Sequence, residues 1–127
     1  MKRLSVLSTC SFSFLVFVLM IFFFYPQVSY ANAPKDVTLE YDSSAQTLAV
    51  TITHKSSFPG FHHIKTVEIK KNSAVISTTN YDTQPKEVPF TYTYKVAATE
   101  GDKLEVTATC NMSGSKTVTI TVSRATK

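Results

Sequence analysis

The chain has 127 residues, of which 17% are charged and 12% aromatic, with 13 Lys and Arg against 9 Asp and Glu. That length holds a single domain, and beyond Lys2-Arg3 at the N-terminus a charge balance with one adjacent basic pair, Lys70-Lys71, and no longer basic run argues against a nucleic-acid-binding surface. Two cysteines, Cys10 and Cys110, are too few for a disulfide-stapled scaffold, so the fold must rest on an apolar core.

The N-terminus reads as a leader. Met1-Lys2-Arg3 precedes an apolar stretch from Phe12 to Tyr25, and Ser29, Ala31 and Ala33 follow it. A basic start, an apolar middle and small residues at the end describe a secretory signal peptide over residues 1–31. Cuts after Ala31 and after Ala33 both satisfy the small-x-small rule, and Pro34 beside the second cut favours Ala31. The apolar run is shorter than the roughly 17–25 residues of a spanning helix, and the small residues behind it indicate a cleaved leader rather than an anchor. The expected mature chain is residues 32–127, exported to a periplasmic or extracellular compartment and without a membrane segment. Cys10 leaves with the leader. Cys110 then has no internal disulfide partner, and its thiol is a small buried hydrophobe, a metal ligand or a link to another chain.

From Asp36 onward the apolar residues recur with a period of two and never with a helical period. Val37, Leu39 and Tyr41 predict a first strand, ended by the turn signal Asp42-Ser43-Ser44. Leu48, Val50 and Ile52 predict a second, and continuing their period puts His54 on the same apolar face. Lys55 to Phe61 is a loop around Pro59-Gly60, in which Phe58 and Phe61 either cover a site or anchor the loop on the core. The chain resumes at His62-His63-Ile64, continues through Val67 and Ile69, and turns at Lys71-Asn72-Ser73. Ala74 to Ser77 predicts a short strand, and Thr78 to Lys86 an irregular polar stretch, because Pro85 cannot pair within a sheet. Phe90, Tyr92, Tyr94 and Val96 alternate with polar residues, which makes their rings core rather than a stacking platform. Leu104, Val106, Ala108 and Cys110 form the next strand, with the thiol at its end, and Val118, Ile120 and Val122 the last. Seven short strands with turns between them predict an all-β, antiparallel, immunoglobulin-like sandwich.

After the leader, the soft and borderline metal donors are His54, His62, His63, Cys110 and Met112. Imidazole and thiolate together suit zinc, copper or iron, provided folding brings them to one point. Adjacent strand residues face opposite ways, so at most one of His62 and His63 is expected to share a site with His54. No G-x-S-x-G elbow, glycine-rich phosphate loop or C-x-x-C pair occurs. Blue-copper sites place a histidine after the cysteine in one short loop, whereas no histidine follows Cys110.

His54, a loop, His62-His63-Ile64 with Val67-Glu68-Ile69, Gly101-Asp102 and Cys110-Asn111 together are similar to the iron domain of superoxide reductases, also called desulfoferrodoxin or neelaredoxin. The resemblance spans most of residues 36–122 and implies an immunoglobulin-like sandwich. It also implies one iron ion held by imidazoles in a plane and by an axial cysteine thiolate, with superoxide reduced to peroxide at the open position by an external electron donor. His54 and His62 would be the equatorial ligands and Cys110 the axial one. The chain departs from the pattern where Ser113 replaces the histidine of a C-N-x-H motif, and residues 32–53 hold no histidine. A remnant of one thiolate and two imidazoles favours copper or zinc over iron. The alternative expectation is a non-catalytic accessory module of the cell envelope that keeps the sandwich and has lost the iron.

Overall fold

A computed structural model describes residues 32–123 of the chain. The expected signal peptide, with Cys10, lies outside the described residues. The seven strands are β1 (Asp36–Asp42), β2 (Thr47–Thr53), β3 (Ile64–Lys71), β4 (Ala74–Asn80), β5 (Phe90–Lys95), β6 (Lys103–Cys110) and β7 (Ser115–Thr121), with no helix among the described residues. They form two antiparallel sheets, one ordered β1-β2-β5 and the other β4-β3-β6-β7. The chain crosses between sheets after β2, β4 and β5, a sandwich consistent with the immunoglobulin type.

Alternation decides which residues meet. In the three-stranded sheet Val37 pairs with Ile52, Val50 with Tyr92, and Ile52 with Phe90, so the apolar residues of all three strands share one face. In the four-stranded sheet Val67 pairs with Ala108, Ile69 with Val106, and Val106 with Val118. The two faces enclose a core in which Leu48, Val50, Ile52, Ile64, Val67, Ile69, Leu104 and Val106 have no accessible surface. Burying side chains of this size contributes roughly 1.5–3 kcal/mol each, which is how the domain holds together without a disulfide.

The turns follow from local chemistry. Asp42 Oδ1 accepts from the Ser44 and Ala45 main-chain N–H groups, closing the β1–β2 connection as an Asx turn. Asn72 and Ser73 adopt φ values of 49° and 73°, the left-handed pair that a two-residue hairpin between β3 and β4 demands.

Strand β4 differs from expectation. It continues through Thr78 to Asn80, because these residues pair with Thr66, Val67 and Glu68 and threonine suits a strand well. It is an edge strand, and Val75 and Ile76 are exposed rather than core. Phe90 is buried as expected, whereas Tyr92 and Tyr94 are half-buried and covered by Tyr81 from the stretch after β4. The Tyr81 and Tyr92 rings stack at 4.3 Å, and the Tyr81 and Tyr94 hydroxyls meet at 2.7 Å. Burial, followed by that hydrogen bond, raises the Tyr94 pKa far above its ordinary value.

Candidate metal centre

The core ends in a cluster of polar side chains. Beyond Ile52, the last core residue of β2, the next inward position belongs to His54, which is 3% exposed. Across the sandwich Ile64 pairs with Cys110 at the end of β6, and His62 lies two residues before Ile64. All three side chains therefore reach the same end of the interior. Donor atoms of His54, His62 and Cys110 all lie within 4.8 Å of one another, and the two imidazoles meet edge to face with centroids 4.7 Å apart. Donors around a single ion lie at most about two bond lengths apart, roughly 4.0–4.6 Å, so small side-chain rotations suffice for common ligation. The structure thus brings together the three residues expected as ligands. His63 is not part of the cluster, although it too is buried.

Gln84 fixes the imidazole of His54. Its Nε2 donates to the His54 carbonyl at 2.7 Å, and its Oε1 accepts from the Ile64 N–H at 3.0 Å. A main-chain carbonyl only accepts and a main-chain N–H only donates, so the orientation of this amide is settled by its partners. His54 Nδ1, 2.7 Å from the same Oε1, must then carry a proton and donate it. The other nitrogen, Nε2, is the one a metal could take, and it lies 3.1 Å from the Asn32 main-chain carbonyl oxygen. A ligating histidine characteristically donates its second N–H in this way, which fixes the ring and its tautomer.

The other two donors are also held. Asn111 accepts from the His63 N–H through Oδ1 at 3.0 Å and donates from Nδ2 to the Phe61 carbonyl at 2.8 Å. Its main-chain N–H donates to the His63 carbonyl at 3.0 Å, so three hydrogen bonds fasten the segment bearing His62 to the end of β6. Cys110 is buried and free, and the Met112 N–H approaches its Sγ at 3.5 Å. The Met112 side chain itself is exposed. His62 Nε2 and His63 Nδ1 are both buried without a hydrogen-bond partner, a costly state for a polar atom, and at His62, whose ring belongs to the cluster, it leaves a nitrogen free to take a metal. Desolvation, with smaller contributions from His54 and His63, lowers the His62 pKa, and the ring is therefore neutral near pH 7, as ligation requires.

Two clefts open on His62 from outside. One, of about 430 Å³, is lined by Ser56, Ser57, Lys55, Lys86 and Val88, and the other, of about 200 Å³, by Asn32, Lys35, Thr53, Lys55 and His54 among others. Their walls carry three lysines and no carboxylate. Phe58 and Phe61 neither cover the site nor anchor their loop, because both project into solvent at 73% and 72% exposure.

Sequence reasoning missed Gln84 and Asn32. Gln84 sits in an irregular polar stretch with no periodicity to set it apart, and its role is visible only once β2 and β3 are placed beside it. A largely buried cluster of two imidazoles and one thiol, with the Nδ1–H of one ring held by Gln84 and one nitrogen of the other without a partner, has the donor chemistry of a transition-metal site. Comparison with protein-family models and with characterised proteins gives no match to this chain, so that geometry is the ground on which its function must be argued.

Proposed function

We propose that this chain is an exported desulfoferrodoxin-like domain that binds one iron ion through His54, His62 and Cys110 and acts on superoxide. The observation that carries the reading is the convergence, within 4.8 Å at one end of the core, of two imidazoles from the β2–β3 connection and a thiol some fifty residues further along the chain. Bound there, iron would supply the one-electron redox change, with the thiolate donating electron density to it. The chain's own contributions are mechanical and electrostatic. Gln84 holds His54 in the ligating tautomer, Asn111 fixes the segment that carries His62, and the surrounding core keeps the thiol out of bulk water. Lys35, Lys55 and Lys86 on the cleft walls favour a small anion such as superoxide over a cation. Reduction of superoxide to hydrogen peroxide takes one electron and two protons, so a one-electron donor is the partner this reading requires.

The test is an anaerobic Fe²⁺ titration followed by oxidation. One equivalent of iron with a thiolate charge-transfer band that disappears in Cys110→Ser supports the assignment, and an oxidised protein with no band and no retained iron overturns it. Competition with Zn²⁺ and Cu⁺ in the same preparation distinguishes iron from the two ions that a thiolate and two imidazoles bind more tightly.

A further inference from the structure

His54 faces two hydrogen-bond acceptors, although a neutral imidazole has only one N–H. Nδ1 donates to Gln84 Oε1, and Nε2 lies 3.1 Å from the main-chain carbonyl oxygen of Asn32. Two lone pairs at that distance repel unless a second ring proton or a metal ion lies between them, and in the buried cluster beside His62 and Cys110 a metal ion is the alternative to that proton. Two donors bound side by side to one ion at about 2.0–2.2 Å are themselves roughly 2.8–3.6 Å apart, and the observed separation falls inside that interval. Asn32, His54 and His62 also line one and the same cleft.

The segment that carries this carbonyl is fastened at several points. Lys35 N–H donates to the Thr53 carbonyl at 2.8 Å, Lys116 Nζ donates to the Lys35 carbonyl at 2.8 Å, and Asn32 Nδ2 donates to Ser113 Oγ at 3.1 Å. At Gly114, whose φ is +88°, an added Cβ would come within 2.9 Å of Ala33, so the β6–β7 turn fits closely against the segment. Ser113, the residue standing where the resemblance leads one to expect a histidine ligand, is here the anchor for Asn32.

The geometry points to the Asn32 main-chain carbonyl as a fourth ligand of the metal, so that residues 32–35 form a strap that completes the donor set of His54, His62 and Cys110. This inference rests on the metal-binding reading above and deepens it. A carbonyl oxygen is a hard donor, and adding it to two imidazoles and a thiolate selects a divalent ion over Cu⁺. It also makes the position of leader cleavage matter, since a cut after Ala31 retains the ligand and a cut after Ala33 removes it.

The test uses the chain as its host exports it, with asparagine isotopically labelled at the main-chain carbonyl carbon and with Co²⁺ as the probe. Pulsed electron–nuclear double resonance should detect two coupled histidine nitrogens and one coupled carbonyl carbon. In Asn32→Ser, which keeps the carbonyl but removes its label, the carbon coupling should vanish and the nitrogen couplings remain. Histidine couplings without any carbon coupling would overturn the strap and leave the three-residue centre standing. A carbon coupling that persists in Asn32→Ser would assign it to another asparagine and overturn it equally, as would an exported chain that begins at Pro34. Loss of the histidine couplings themselves would refute the underlying centre, and the fourth ligand with it.

Discussion

Replacing Gln84 by Ala removes the acceptor of the His54 Nδ1–H, the acceptor of the Ile64 N–H and the donor to the His54 carbonyl. The residue is 5% exposed, so solvent does not readily take over. A buried group left without its partner costs about 1–3 kcal/mol. The three belong to one network and do not add fully, which puts the loss at about 3–6 kcal/mol, a large share of the 5–15 kcal/mol typical of a domain. At about 4–8 °C per kcal/mol for a domain of this size, Tm should fall by at least roughly 12 °C. Gln84→Glu keeps an acceptor for His54 and Ile64 but turns an oxygen toward the His54 carbonyl, and it should lose less. Metal titration on the folded fraction of Gln84→Ala should show affinity about 10–100-fold weaker, because the ring is no longer held in one tautomer. A fall in Tm of less than about 4 °C, corresponding to less than about 1 kcal/mol, would refute the clamp and show water satisfying these groups.

Further outcomes follow from other parts of the molecule. His62 has a folded-state pKa below its ordinary 6.5, so the unfolded chain binds more protons in acid; the metal-free domain should be fully stable with respect to this group above about pH 6.5 and lose stability as pH falls through the lowered value, an acid trend that denaturant titrations should find weakened in His62→Gln. Tyr81→Phe deletes the hydroxyl that meets Tyr94 at 2.7 Å and should cost about 0.5–1.5 kcal/mol in urea unfolding. In the same variant, spectrophotometric titration should show Tyr94 moving down toward its ordinary value while staying above it, because burial is the larger cause. Gly114→Ala imposes a side chain at φ +88° and within 2.9 Å of Ala33, and should destabilise the domain by about 1–3 kcal/mol while weakening metal binding through the displaced strap.

Much of the fold is legible in the sequence, because alternation with period two both names a strand and says which face it buries. Leu48, Val50, Ile52 and His54 illustrate the gain: the rule that places three aliphatic residues in the core also places an imidazole at its end. The rule does not separate His62 from His63, because both precede β3 and His63 is itself buried. It fails in β4, where Thr78 to Asn80 are polar on both faces and are strand only because β3 offers an edge to pair with. The convergence of His54 with Cys110 depends on the sheets packing face to face, which no local pattern encodes. Gln84 and the Asn32 carbonyl escape sequence reading for a related reason. One is a side chain in an aperiodic stretch and the other a main-chain atom that every residue possesses, so only their neighbours make them distinctive.

The most direct test is the metal content of the protein purified from its own host without added metal. The account predicts close to one iron per chain, lost in His54→Ala and in Cys110→Ser while both variants remain folded. Protein that carries no metal in stoichiometric amount, and that the two substitutions leave unchanged, would contradict it and leave the sandwich as a module without a metal centre.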